Sequence, residues 1–202
     1  MALPFPNRER LMLFDADGTI IDAFSAIDTT CAAHGMDNGE LEAFQKRRKV
    51  FKYVGGLKEF PLNIKKQLGK KSRQKILGTL TEVYREQACL YPGVAELLKQ
   101  ILADKTIRLG LVTRNVSHEP ELTMAHLFAR YDIDLTAFDF FAHVPMRESK
   151  AKYFQQAREH FHINPARAFA CGDEHKDYLS ALAAGAHPLV VSYGFEDYQR
   201  LT

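Results

Sequence analysis

The sequence lacks the features that would tie it to a membrane, a thiolate metal centre or a polyanion. No stretch approaches the ~20 consecutive apolar residues of a membrane helix. The three cysteines, Cys31, Cys89 and Cys171, stand far apart with no Cys-x-x-Cys among them. That indicates neither a zinc site nor a redox pair, and it suits a reducing compartment. The eight histidines are scattered and form no paired metal-ligand spacing. The net charge is +2, too small to point to a nucleic-acid polymer. Residues 1–10 hold prolines and charges but no apolar core of signal-peptide length, so the expected location is cytoplasmic. There is no internal repeat, low-complexity tract or long linker. With 46% hydrophobic residues, the 202-residue chain has the composition of a folded protein.

What is present is organised around Leu11-Met12-Leu13-Phe14-Asp15-Ala16-Asp17-Gly18-Thr19. Four apolar residues, the length of a buried parallel strand, run into two acids, a glycine and a threonine. In open α/β sheets ligands bind beyond the carboxyl ends of the strands, which is where Asp15 and Asp17 fall. Two carboxylates so close can hold a divalent cation, and one can attack while the other handles a proton.

From Asp22 to about Cys89 the chain reads as helical. The pattern predicts helices over 22–34, 39–53, 61–68 and 72–90, punctuated by Gly35, Gly55-Gly56 and Gly69. The first should bury Phe24, Ile27, Cys31 and His34. The last should bury Ile76, Leu77, Leu80, Val83 and Tyr84. After Tyr91-Pro92-Gly93, strands predicted at 107–112, 138–142, 168–171 and 189–192 alternate with helices at 94–103, 120–131, 151–161 and 177–184. This alternation predicts an α/β fold with a parallel, Rossmann-like sheet. The expected division is a core of residues 1–20 and 91–202 and a helical cap of residues 21–90.

Three further groups arrive at predicted strand ends. Thr113 and Arg114 follow Leu111-Val112, where a hydroxyl and neighbouring amides could hold a phosphate oxygen. A Thr there is also a common helix cap. Gly172-Asp173-Glu174-His175-Lys176-Asp177 closes the fourth strand and leads into a small-residue helix ending at Gly185. Its acids would complete an oxygen-rich magnesium site. A carboxylate cluster repels both its own ionisation and a phosphate dianion, so a cation must offset both. Lys150 and Lys152, in Ser149-Lys150-Ala151-Lys152-Tyr153-Phe154, are the candidates.

Asp15-x-Asp17-Gly18-Thr19, Thr113, Ser149-Lys150 with an aromatic four residues on, and Gly172-Asp173-x-x-x-Asp177 through Gly185 together resemble the motifs of the haloacid dehalogenase superfamily. The likeness is to its phosphatase branch with a helical cap of the first type, phosphoglycolate phosphatase-like. The third motif departs from the commoner Lys-Pro-x-Pro and favours Lys150. The resemblance implies a Mg²⁺-dependent phosphohydrolase acting on a small phosphomonoester: a sugar phosphate, a phosphoglycolate-like acid or a nucleotide. Asp15 is then the nucleophile, forming an aspartyl phosphate, and Asp17 the acid and base. The catalytic set is Asp15, Asp17, Thr113 and Lys150. The phosphoryl oxygens are held by Gly18, Thr113, Arg114 and Lys150. Mg²⁺ meets the Asp15 and Asp173 carboxylates and the Asp17 carbonyl, with Asp177 orienting Lys150 or a metal-bound water. Alternatives within reach are a phosphosugar mutase and a phosphate-binding relative without turnover.

Other signals are set aside. Gly69-Lys70-Lys71-Ser72 has the tail of a P-loop but Ile64 where its first glycine belongs. Cys171 reads as a buried strand residue. From Lys46 to Lys75 twelve lysines and arginines face a single acid, Glu59. That excess predicts a positive lid favouring substrates charged beyond the phosphate itself.

Overall fold

The computed structural model describes residues 8–35 and 70–201. The helices expected at 39–53 and 61–68, and most of the basic stretch, lie outside these residues. Among the described residues the chain runs β1 (Arg10–Phe14), α1 (Ala23–Ala33), α2 (Lys70–Glu86), α3 (Val94–Ala103), β2 (Ile107–Thr113), α4 (Pro120–Ala129), β3 (Phe140–His143), α5 (Lys150–His160), β4 (Ala168–Gly172), α6 (His175–Ala183), β5 (His187–Val190) and a last turn, α7 (Tyr198–Leu201).

The five strands form one parallel sheet in the order β3-β2-β1-β4-β5. β1 is central, and Phe14 is in register with Leu111 of β2 on one side and Cys171 of β4 on the other. Strand order reverses at β1, so the switch-point crevice opens where Asp15 leaves the sheet. Alternation along β1 serves both faces. Leu11 and Leu13 join Val112, Phe154 of α5 and Ala181 of α6. Phe14 joins Leu98 of α3 and Leu127 and Phe128 of α4 on the other face.

The described ends of the insertion pack on that second cluster. Leu80, Val83 and Tyr84 of α2 belong to it, together with Leu109 and Leu111 of β2. Thr81 Oγ1 accepts the His118 N–H at 2.9 Å, and Arg85 pairs with Glu119 at 3.2 Å. Of the apolar stripe predicted for α2, Ile76, Leu80, Val83 and Tyr84 are buried and Leu77 is half-buried. The α1 stripe is rotated: Ala23, Ala26, Thr30 and Cys31 are buried, whereas His34 is exposed and bonds Thr79. Thr30 enters the core because its hydroxyl donates to the Ala26 carbonyl at 2.8 Å.

Several boundaries differ from the sequence pattern, among them the end of α2 at Glu86 instead of 90, and three of them have identifiable reasons. β5 begins at His187, two residues before its apolar run, because it pairs with Phe169–Gly172. It tolerates Pro188 as an edge strand. β3 starts after Asp139, whose carboxylate accepts the Leu109 N–H at 2.9 Å and fixes the chain just before pairing. α6 starts at His175, because Asp177 Oδ2 accepts the Glu174 N–H at 3.3 Å and so sits inside the first turn.

Candidate active site

The carboxyl ends of β1, β2 and β4 converge, and each delivers chemistry. Asp15 is fixed to β4 by its N–H, which donates to the Cys171 carbonyl at 2.9 Å. Asp173 leaves β4 beside it, and Thr113 ends β2. From the other face α5 brings Lys150, its first residue, capped by the Ser149 hydroxyl. Lys150 is 2% exposed, and its Nζ lies 2.6 Å from Asp15 Oδ1 and 2.8 Å from Asp177 Oδ1. Lys152 is exposed and pairs with Glu148 one turn away. The choice between the two lysines is therefore made by the start of α5, which turns Lys150 inward.

Asp15, Asp173 and Asp177 are all buried, each with a carboxylate oxygen within 4.8 Å of the others. Asp173 is the most tightly held. Its Oδ2 accepts the Phe195 N–H at 2.6 Å, and its Oδ1 takes the Thr19 hydroxyl at 3.4 Å. Three carboxylates against one ammonium leave the cluster short of positive charge. Burial, with repulsion from Asp177 and Asp173, pushes Asp15 well above the usual carboxylate range despite Lys150. Burial and the neighbouring Glu174 push Asp173 up to about 7. For Lys150, burial alone would favour the neutral amine, but the charges of Asp15 and Asp177 outweigh it and hold the ammonium. Negative charge in excess draws protons to Asp15 and Asp173, and a divalent cation among hard oxygen donors would relieve it. The donor set fits Mg²⁺.

Glycines make this crowding feasible. A Cβ on Gly172 would stand 2.3 Å from Asp177 Cβ, and one on Gly18 would stand 2.3 Å from Asp173 Oδ2. Gly18 also has φ +82°, the left-handed region. Its N–H donates to the Ile21 carbonyl at 3.0 Å. Arg114 turns to the loop before α5, donating from Nη2 to the Glu148 carbonyl at 2.8 Å. Thr113 is fully buried, its Oγ1 accepting the Asn115 N–H at 3.0 Å. Cys171 is buried, and burial lifts its thiol to about 12, which makes it an inert strand residue. His175 is the exposed first residue of α6.

Asp17 stands apart from the cluster, in a different environment. The Tyr84 hydroxyl donates to its Oδ1 at 2.8 Å, and Asn115 Nδ2 donates to Oδ1 at 3.2 Å and Oδ2 at 3.1 Å. Burial raises Asp17 from its ordinary value, opposed by these two donors and by Lys150. Sequence reasoning missed both partners. Tyr84 looked like one more apolar contact on the α2 stripe. Asn115 sits in the Thr113-Arg114-Asn115 run, but nothing in the sequence tells which of its residues turns inward.

The family described as haloacid dehalogenase-like hydrolase matches residues 12–191. Phosphoglycolate phosphatase from Vibrio vulnificus is 27% identical over 199 residues, covering 92% of this chain and 85% of that protein. Phosphoglycolate phosphatase from Synechococcus elongatus is 28% identical, covering 94% and 87%. Among solved structures, CbbY from Rhodobacter sphaeroides in complex with phosphate superposes with a TM-score of 0.66 at 20% identity, covering 94% of this chain and 89% of that one. That likeness is one of fold.

Proposed function

This chain belongs to the haloacid dehalogenase-like hydrolase family and is a phosphohydrolase, and we propose that it hydrolyses a small phosphomonoester, phosphoglycolate first among the candidates, through a phosphate carried covalently on Asp15. The observation that carries this reading is the pair of acids two residues apart in opposed environments. Asp15 is held against an ammonium in a carboxylate cluster, whereas Asp17 is held by two neutral donors outside it. A cation held by the cluster would offset the burial of Asp15, and the two environments would then divide the roles of nucleophile and proton carrier.

In the first step an Asp15 carboxylate oxygen bonds to phosphorus as the ester P–O bond breaks. The electron pair stays on the leaving oxygen, which takes the proton from Asp17. In the second step water attacks phosphorus, Asp17 takes its proton, and the acyl-phosphate P–O bond breaks. This restores Asp15 and releases inorganic phosphate. Lys150 and the Thr113 hydroxyl hold phosphoryl oxygens, and Asp177 keeps Lys150 in place. Asp15, Asp173 and the Asp17 carbonyl would hold Mg²⁺, with Asp177 beside them. When bound, the cation neutralises charge on the phosphoryl group and its nucleophile. Residues 21–90 serve as the cap, with α1 and α2 docked on the core of residues 1–20 and 91–202.

The test is a panel of phosphomonoesters assayed with and without Mg²⁺, phosphoglycolate, sugar phosphates and nucleotides included. Release of inorganic phosphate that requires Mg²⁺ and disappears in Asp15→Asn supports the reading. Turnover that survives Asp15→Asn at even a tenth of the normal rate removes Asp15 as the nucleophile.

A further inference from the structure

Asp17 is gripped more completely than a proton carrier at a solvent-facing mouth needs to be. The Asn115 amide that reaches it cannot flip freely. Asn115 Oδ1 already accepts the Ser117 N–H at 2.9 Å and lies against the Ser117 hydroxyl as well. Nδ2 is therefore the end that faces Asp17. The Asn115 backbone is anchored twice, its N–H to Thr113 Oγ1 at 3.0 Å and its carbonyl to His143 Nε2 at 3.0 Å. Tyr84 is buried, and its hydroxyl donates to Asp17.

The two donors are not shared equally. Oδ1 receives Tyr84 at 2.8 Å and Asn115 at 3.2 Å, whereas Oδ2 receives only Asn115, at 3.1 Å. In a carboxylic acid the oxygen that accepts more hydrogen bonds is the carbonyl, and the other carries the proton. We propose that Tyr84 and Asn115 are positioning residues that lock the Asp17 carboxyl so that Oδ2 is the atom exchanging its proton with the leaving oxygen. This rests on the reading of Asp17 as the proton donor. It also makes the acid depend on the insertion, since Tyr84 rides on α2. That helix is pinned to the core by Thr81 with His118 and by Arg85 with Glu119.

Leaving-group chemistry tests the proposal without reference to fold stability. An alkoxide must be protonated as it departs, whereas 2,4-dinitrophenolate leaves without help. Steady-state kinetics would compare the most rapidly hydrolysed alkyl phosphate of the panel with 2,4-dinitrophenyl phosphate, in the parent protein, Asp17→Asn, Tyr84→Phe, Asn115→Ala and Asp17→Asn/Tyr84→Phe. Asp17→Asn should lose on the order of 10²–10⁴ in kcat/KM, which reports the step that expels the leaving group and not the later hydrolysis of the aspartyl phosphate, on the alkyl ester and far less on the activated one. Tyr84→Phe and Asn115→Ala should each lose roughly tenfold or more in kcat/KM on the alkyl ester, with KM little changed. That loss should exceed the loss on dinitrophenyl phosphate by about tenfold. In the Asp17→Asn background, Tyr84→Phe should cost almost nothing further. Equal losses on both esters for Tyr84→Phe and Asn115→Ala, or an undiminished cost of Tyr84→Phe in that background, would overturn the positioning role while leaving Asp17 as the acid. If Asp17→Asn itself loses equally on both esters, the reading of Asp17 fails and this proposal falls with it.

Discussion

A Cβ on Gly194 would stand 2.2 Å from the carbonyl oxygen of Gly18, so the loop after β5 presses directly on the turn that carries Asp17. The same carbon would lie 2.4 Å from Asp173 Oδ2. A backbone oxygen in a tight turn cannot yield as a flexible side chain can. Gly194→Ala must therefore displace the 193–195 turn, and with it the Phe195 N–H that holds Asp173. The expected outcome is at least a tenfold fall in kcat and a rise in the Mg²⁺ concentration giving half-maximal activity. The stability loss should be about 1–3 kcal/mol, the usual cost of overpacking. Mg²⁺ titrations of activity and chemical denaturation measure the two.

Gly78→Ala should do the opposite. Gly78 lies within α2, and a Cβ there meets nothing within 4 Å. The substitution removes backbone freedom from the unfolded chain and adds a good helix former, a gain of roughly 0.5–1 kcal/mol. For a chain of this length the melting temperature should rise by about 1–4 °C. A fall in Tm would mean that α2 is packed more tightly at this turn than its surroundings allow.

Lys150→Ala should reduce kcat by on the order of 10²–10³, the loss typical of a preorganised charge contact to the transition state. It also leaves Asp15 and Asp177 without their shared ammonium. Lys152→Ala removes an exposed i,i+4 pair with Glu148 and should stay within about twofold in kcat. Rate measurements on the two variants at saturating substrate decide the matter. A crippled Lys152→Ala beside an active Lys150→Ala would reverse the assignment.

Stripping divalent cations with EDTA should abolish turnover, and Mg²⁺ should restore it. Ca²⁺ should not, because it takes more ligands in looser geometry and would misplace the nucleophile. Mg²⁺ should also raise the melting temperature of the stripped protein, since Asp15, Asp173 and Asp177 are buried around too little positive charge. Full activity after exhaustive chelation would remove the metal from the mechanism.

Replacing Lys46, Arg47, Arg48 and Lys49 with glutamates should lower kcat/KM, mainly through KM, for substrates charged beyond the phosphate. The loss should shrink as salt is raised, because exposed charges are then screened within a few ångströms. An unchanged kcat/KM at low salt would make this cluster an ordinary solvated surface.

The sequence by itself determined the alternation of strands and helices and, to within a residue, the carboxyl ends of β1, β2 and β4. Apolar runs at Leu11–Phe14, Leu109–Val112 and Ala168–Cys171 have the length of buried parallel strands, and Asp15, Thr113 and Asp173 follow where they stop. Local patterning also fixed α3 from Val94 to Ala103, because its apolar spacing and the glycine before it agree. Tertiary structure decided what depends on long-range approach. Lys150 and Lys152 look alike in sequence, and only the orientation of α5 against β1 and α6 buries one and exposes the other. The shift of β5 to His187 came from pairing with β4, which overrode its apolar run. Tyr84 stands 67 residues from Asp17, and Asn115 stands 98 from it. A hydrogen bond across such a separation exists only once α2 and β2 have docked. No periodicity or composition along the chain encodes which polar atom will meet which.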